Sequence, residues 1–69
     1  MNEQQISICA HAHLAEHYGS AISVDPELES DAQELVENGW LRSAEGEEGE
    51  VGYAITLAGR VAMLAAAEN

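Results

Sequence analysis

The sequence predicts one small α+β domain spanning residues 1–69, in the order helix, helix, β-hairpin, helix. Three observations lead there. Apolar residues recur at three- and four-residue spacing in three separate windows, which is the helical period. Between the second and third windows they alternate at spacing two around a tract of glycine and glutamate, the pattern of a hairpin. With 69 residues, 46% of them hydrophobic, the chain has room for one core and no second.

The first helix is expected from about Glu3 to Tyr18, with Gly19 and Ser20 as its stop. The window lacks proline and glycine and carries Ile6, Ala10 and Leu14 at four-residue spacing. Its far side is not cleanly polar, because Ile8, Ala12 and Ala15 form a second apolar stripe about 180° around the axis. One stripe can face the core and the other a partner, which makes Ile8 and Ala12 candidates for a dimer face. The alternative is a central helix buried on two sides. Ala21 to Val24 follows as a connection with a short extra strand, since Ile22 and Val24 alternate around Ser23.

Asp25 reads as an N-cap and Pro26 as the first helical residue, where a missing N–H costs nothing. In the second helix Leu28, Ala32, Leu35 and Val36 share one face, and Glu27, Glu29, Asp31, Glu34 and Glu37 occupy the rest. Asn38-Gly39 ends it as a left-handed C-cap, with Trp40 placed to fold back on the last turn. Strands are expected at Leu41 to Glu45 and Glu50 to Ile55, around a tip of Gly46, Glu47, Glu48 and Gly49. Val51, Tyr53 and Ile55 alternate in the second of them. Thr56 is the expected N-cap of a last helix from Leu57 to about Ala67, with Leu57, Val61 and Leu64 as its core stripe. Ala58, Ala62 and Ala66, one turn apart, form a ridge of small residues that would admit another helix closely, a second candidate dimer face. Alanine's helix propensity alone also accounts for them.

Thirteen acidic residues stand against two arginines, Arg42 and Arg60, and there is no lysine, for a formal charge of −11. That balance leaves no basic nucleic-acid footprint. It also excludes a Walker-A loop, a Schiff-base lysine and a lysine-activated serine. Ser7, Ser20, Ser23, Ser30 and Ser43 have no nucleophile setting, so no enzyme activity is expected. One cysteine, Cys9, cannot close an intramolecular disulfide, and no basic segment precedes an apolar run. A cytoplasmic setting is the expectation, and the longest apolar-leaning stretches, 6–15 and 61–67, fall far short of the roughly 20 residues of a membrane span. A core this small, with twelve alanines and no phenylalanine, gains little over the chain entropy it must overcome, so a homodimer is expected.

Cys9, His11, His13 and His17 are the residues that bear on metal chemistry. His13 and His17 have the i, i+4 spacing at which two imidazoles on a helix reach one ion, and Cys9 lies one turn earlier. Cys9 and His17 are separated by about 12 Å of straight helix, so one ion cannot take all three. The histidine pair is kept as a candidate, but no metal or other cofactor is expected.

Glu34-Leu35-Val36-Glu37-Asn38-Gly39-Trp40-Leu41-Arg42 and Tyr53-Ala54-Ile55-Thr56-Leu57-Ala58-Gly59-Arg60 carry a resemblance to winged-helix domains. Many of those regulators end a helix with L-x-x-x-G and two apolar residues, form a wing, and open the next helix with Y-x-L-T-x-x-G. The likeness covers roughly residues 25 to 66 and implies that the segment from Pro26 to Asn38 sits where the family's recognition helix enters the major groove. Two departures limit what carries over. Only one helix fits ahead of Asp25, so the fold is abbreviated. The recognition segment with its cap carries six acids and no base, and the wing tip adds more glutamates, where DNA phosphates would repel both.

The expected function is therefore a non-enzymatic acidic protein-binding module, an inhibitor or adaptor that occupies the basic, nucleic-acid-binding surface of a partner and so acts as a DNA mimic. Glu27, Asp31, Glu34, Glu47 and Glu48 are the expected contact residues, with Trp40, Tyr53 or Leu28 as an apolar anchor where exposed. Small, acidic, lysine-free domains of this style look like the accessory and anti-defence proteins of phages and mobile elements, which would place it in a host cytoplasm. The alternative is a winged-helix DNA-binding regulator from a salt-loving organism, since molar salt shortens the Debye length to about 3 Å. Eleven glutamates against two aspartates argue against that origin.

Overall fold

The computed structural model describes residues 1–45, 49 and 51–68. Three helices and one antiparallel two-stranded sheet make the fold: α1 (Glu3–His17), a 3-10 turn (Pro26–Leu28) running into α2 (Glu29–Glu37), β1 (Leu41–Glu45), β2 (Val51–Ile55) and α3 (Leu57–Ala67).

α1 opens with a reciprocal cap. The Asn2 side chain accepts from the Gln5 N–H at 2.8 Å, and the Asn2 N–H donates to Gln5 Oε1 at 3.1 Å. It closes at Gly19, whose φ of 72° lets Gly19 and Ser20 donate back to the Glu16 and Ala15 carbonyls. The second helical segment departs from expectation at its start. Asp25 makes no side-chain capping bond, and Leu28 donates to the Asp25 carbonyl in a tightened 3-10 turn, so the α-helix proper begins at Glu29. Its end follows the sequence: Gly39 (φ 78°) donates to Val36 and Trp40 to Leu35, and the Trp40 ring packs half-buried on the core.

The hairpin pairs Leu41 with Ile55 and Glu45 with Val51. The short strand expected near residues 21–24 is reduced to one bridge, in which Ile22 and Tyr53 exchange both backbone bonds at 2.9 and 2.7 Å. β2 is thus paired along both edges at Tyr53, and Gly52 through Ile55 are all buried rather than alternating. Val51, in the pair next to the connecting segment of the hairpin, is 73% exposed. Gly52 has no room for a side chain, because a Cβ there would come within 2.8 Å of the Ile22 carbonyl oxygen.

Ile8, Cys9, Ala12, Ala32, Leu35, Leu41, Tyr53, Ile55 and Met63 form the core. Two faces are therefore turned differently from expectation. Ile8 and Ala12, read as a dimer face, are 4% and 1% exposed and belong to the core, so they cannot meet a partner. It is Ala10 and Leu14 of the other stripe that point outward, with Ile6 half-buried. On α3 the expected core stripe faces solvent: Leu57, Val61 and Leu64 are 70%, 62% and 57% exposed, and Gly59 and Met63 point inward instead.

The cap of α3 explains that rotation. Thr56 Oγ1 accepts from the Gly59 N–H at 2.9 Å, and its own proton is directed at the carbonyls of Gly39 (2.7 Å) and Trp40 (3.1 Å). The Thr56 N–H also donates to Trp40. These bonds press the first turn of α3 onto the end of α2 so closely that a Cβ on Gly59 would overlap the Trp40 carbonyl. Only glycine can face inward there, which leaves the larger Leu57 and Val61 on the outside.

Gly59→Ala is therefore expected to cost about 3 kcal/mol, the upper end for overpacking against backbone, and Thr56→Ala about 1 kcal/mol for the lost cap. Leu57→Ala, exposed, should stay within about 0.5 kcal/mol of the parent. Urea unfolding followed by circular dichroism checks all three, at a protein concentration low enough that the chain is monomeric and association adds nothing to its stability. A Leu57→Ala loss as large as that of Gly59→Ala would contradict the orientation of α3.

Candidate interaction surface

The acids are unevenly placed. Around α2 the core-facing positions are Leu28, Ala32 and Leu35, and the outward arc carries Ser30, Gln33, Glu34 and Glu37. Glu27 and Glu29 are exposed at its start. No basic residue lies between Pro26 and Asn38. Of the five expected contact residues, Glu27 and Glu34 are on this open face. Asp31 is half-buried at its border, where Asn2 Nδ2 donates to its Oδ1 at 3.4 Å and ties the cap of α1 to α2. Glu47 and Glu48 lie outside the described residues.

Both arginines sit elsewhere. Arg60 of α3 reaches Glu16 of α1 at 4.0 Å, with both side chains partly solvated. Arg42 is exposed on β1, beside a shallow depression that Glu16 and Glu45 also line. Neither cation interrupts the acidic arc of α2.

None of the three expected apolar anchors is exposed. Tyr53 is core, its hydroxyl accepting from Gln33 Nε2 at 3.2 Å, and Trp40 and Leu28 are half-buried against that core. The large apolar side chains that do reach solvent are Leu14, Tyr18, Val51, Leu57, Val61 and Leu64. Of the alanine ridge, Ala58 is exposed but Ala62 and Ala66 are half-buried.

His13 and His17 are exposed near the end of α1, the His17 ring edge-on to Tyr18 at 5.4 Å. With Leu14, Glu16, Tyr18 and Arg60 they line an open depression of about 510 Å³. His11 is held by a bond between its Nδ1 and the Ser7 carbonyl at 2.9 Å. Cys9 is fully buried, whereas the three imidazoles are on the exposed side of α1. Among the described residues no three metal-capable side chains group together. Burial pushes the Cys9 thiol above its ordinary pKa, against a smaller opposing pull from the N-terminal ammonium. Gln5 is also buried, and its Nε2 has no hydrogen-bond partner among the described residues.

The sequence reading missed the Asn2 to Gln5 cap, although Asn-x-x-Gln before an apolar run is a capping-box signal. It also missed the outward apolar stripe of α3, which has no signal in periodicity because period alone does not say which way a stripe faces. No family model, curated protein or solved structure matches the chain. Among the described residues no helix is long and apolar enough to cross a membrane.

The buried, pKa-raised thiol gives a direct probe of opening. Cys9 in the folded chain should react with a thiol reagent at least about a hundredfold more slowly than in the unfolded chain. Its labelling should rise with urea in step with loss of helical circular dichroism. Fast labelling before that transition would mean that α1 detaches by itself.

Proposed function

We propose that this chain is a non-enzymatic acidic binding module of winged-helix-like build, an inhibitor or adaptor that occupies a basic surface of a protein partner. The carrying observation is the outward arc of α2, where Glu27, Glu29, Glu34 and Glu37 are exposed and no cation is interspersed. The order α1, Ile22 bridge, α2, hairpin, α3 is compatible with an abbreviated winged helix in which α2 stands in the recognition position and the hairpin in that of the wing.

A helix bearing carboxylates where such folds carry lysine and arginine is suited to the groove of a nucleic-acid-binding protein rather than to nucleic acid. Like the phosphate backbone it would replace, it offers a row of negative charge on a rigid rod. Encounter is steered over roughly the Debye length, about 8 Å at physiological salt, so the association rate falls as salt rises. Carboxylates paired with the partner's lysines and arginines then fix the register.

Capture from nuclease-treated lysate at about 0.15 M salt should retain a basic protein that elutes as salt is raised. The combined Glu27→Lys, Glu34→Lys and Glu37→Lys variant should lose it by at least about a hundredfold in affinity, or about 2.7 kcal/mol, with unchanged circular dichroism. Asp31 is left intact in that variant because it also holds Asn2. Retention of the partner by the reversed variant would sink the acidic-face reading. Enrichment of DNA in a capture without nuclease would make the chain a DNA-binding regulator instead.

A further inference from the structure

We propose that the outward stripe of α3, Leu57, Val61 and Leu64, is a self-association face whose occupant is a second copy of this chain. These residues stand at i, i+4 and i+7, directly opposite the inward Gly59 and Met63, and no other described residue covers them. The face differs from both dimer faces read from the sequence. It is neither the buried Ile8 and Ala12 nor the ridge of Ala58, Ala62 and Ala66, two of whose members are half-buried.

Charge singles out the occupant. From Leu57 to Ala67 there is no acid, and the one charged residue is Arg60, which lies beside the stripe and leans to Glu16. Glu68 follows at the C-terminal end of the helix. Two copies that each carry −11 repel wherever their acidic elements approach, and α3 is the helix without an acid. An isologous contact there, each stripe on its twin, brings the chains together while α2 stays on another element.

The area is of the right order. Arg60 lines one depression with Leu14 and Tyr18, so the exposed end of α1 lies across the Arg60 and Glu16 pair from the α3 stripe. Leu14 and Tyr18 are 64% and 77% exposed. With Leu57, Val61 and Leu64 they offer on the order of 600 Å², against about 800 Å² per partner in a standard interface, and the neighbouring Ala58 and Ala65 would extend it. The exposed Ala58 and Ala65 beside the stripe leave room for helix axes to approach to about 8–10 Å.

Sedimentation equilibrium of the full chain over a wide concentration range, at low salt and at about 0.5 M NaCl, tests the proposal. The expected result is a mass of twice 7.4 kDa at the upper concentrations. The dimer should tighten at least about threefold as salt screens the like charges. That sign is opposite to salt-weakened binding of a basic partner, so the two readings fail separately. Val61→Glu and Leu64→Glu should each be monomeric throughout with unchanged circular dichroism, and Glu34→Lys should remain dimeric. Leu57→Gln, which adds no charge, should weaken the dimer at least about tenfold. A parent chain that is monomeric at every concentration and both salts overturns the proposal. So does a dimer that survives Val61→Glu, Leu64→Glu and Leu57→Gln alike.

Discussion

The rest of the structure depends on the contact between the first turn of α3 and the last residue of the α2 cap. Gly59 lies against the Trp40 carbonyl where no Cβ fits, and Thr56 bonds at once to Gly59, Gly39 and Trp40. This point joins four elements, because Trp40 leads into β1 while Thr56 ends β2 and starts α3. The Thr56 N–H to Trp40 bond extends the hairpin ladder by one step beyond the Leu41 and Ile55 pair. Fixing the helix start here sets its rotation, and that rotation sends Met63 into the core and Leu57, Val61 and Leu64 out to solvent.

The core built on this contact is thin. Its fully buried members include Cys9, Ala32 and Leu35, and its largest aromatic, Tyr53, still needs Gln33 for its hydroxyl. Small residues at Ala12 and Ala32 contribute little area each, and burial is worth about 25 cal/mol per Å². A chain of 69 residues whose α3 leaves three large aliphatic side chains in water has stabilisation still to gain from a partner surface.

Charge is segregated by element in a way that composition does not convey. The formal charge of −11 could coat the whole surface evenly. Instead the exposed arc of α2 carries glutamates among neutral residues and no base, while α3 carries no acid. A carboxylate face suited to cations and an apolar face suited to a like-charged copy can therefore coexist on one small domain, and salt acts on them in opposite directions. Asp31 marks the border between surface and scaffold, since its carboxylate is committed to Asn2.

By itself the sequence determined what local chemistry controls. Gly19 and Gly39 end helices because glycine adopts a positive φ freely, Thr56 caps α3 because its hydroxyl reaches the N–H three residues on, and strand positions follow from spacing two. The acidic face of α2 was legible for the same reason, as its apolar and charged residues occupy separate arcs. Tertiary structure alone decided which side of α1 and α3 turns inward, because both helices are apolar on more than one side. On α3 the side was chosen by the Gly59 and Trp40 close approach, between residues on different elements. On α1, Ile8, Cys9 and Ala12 went inward with the buried Gln5 of the cap. Periodicity records that a stripe exists, and only packing against another part of the chain can say what it faces.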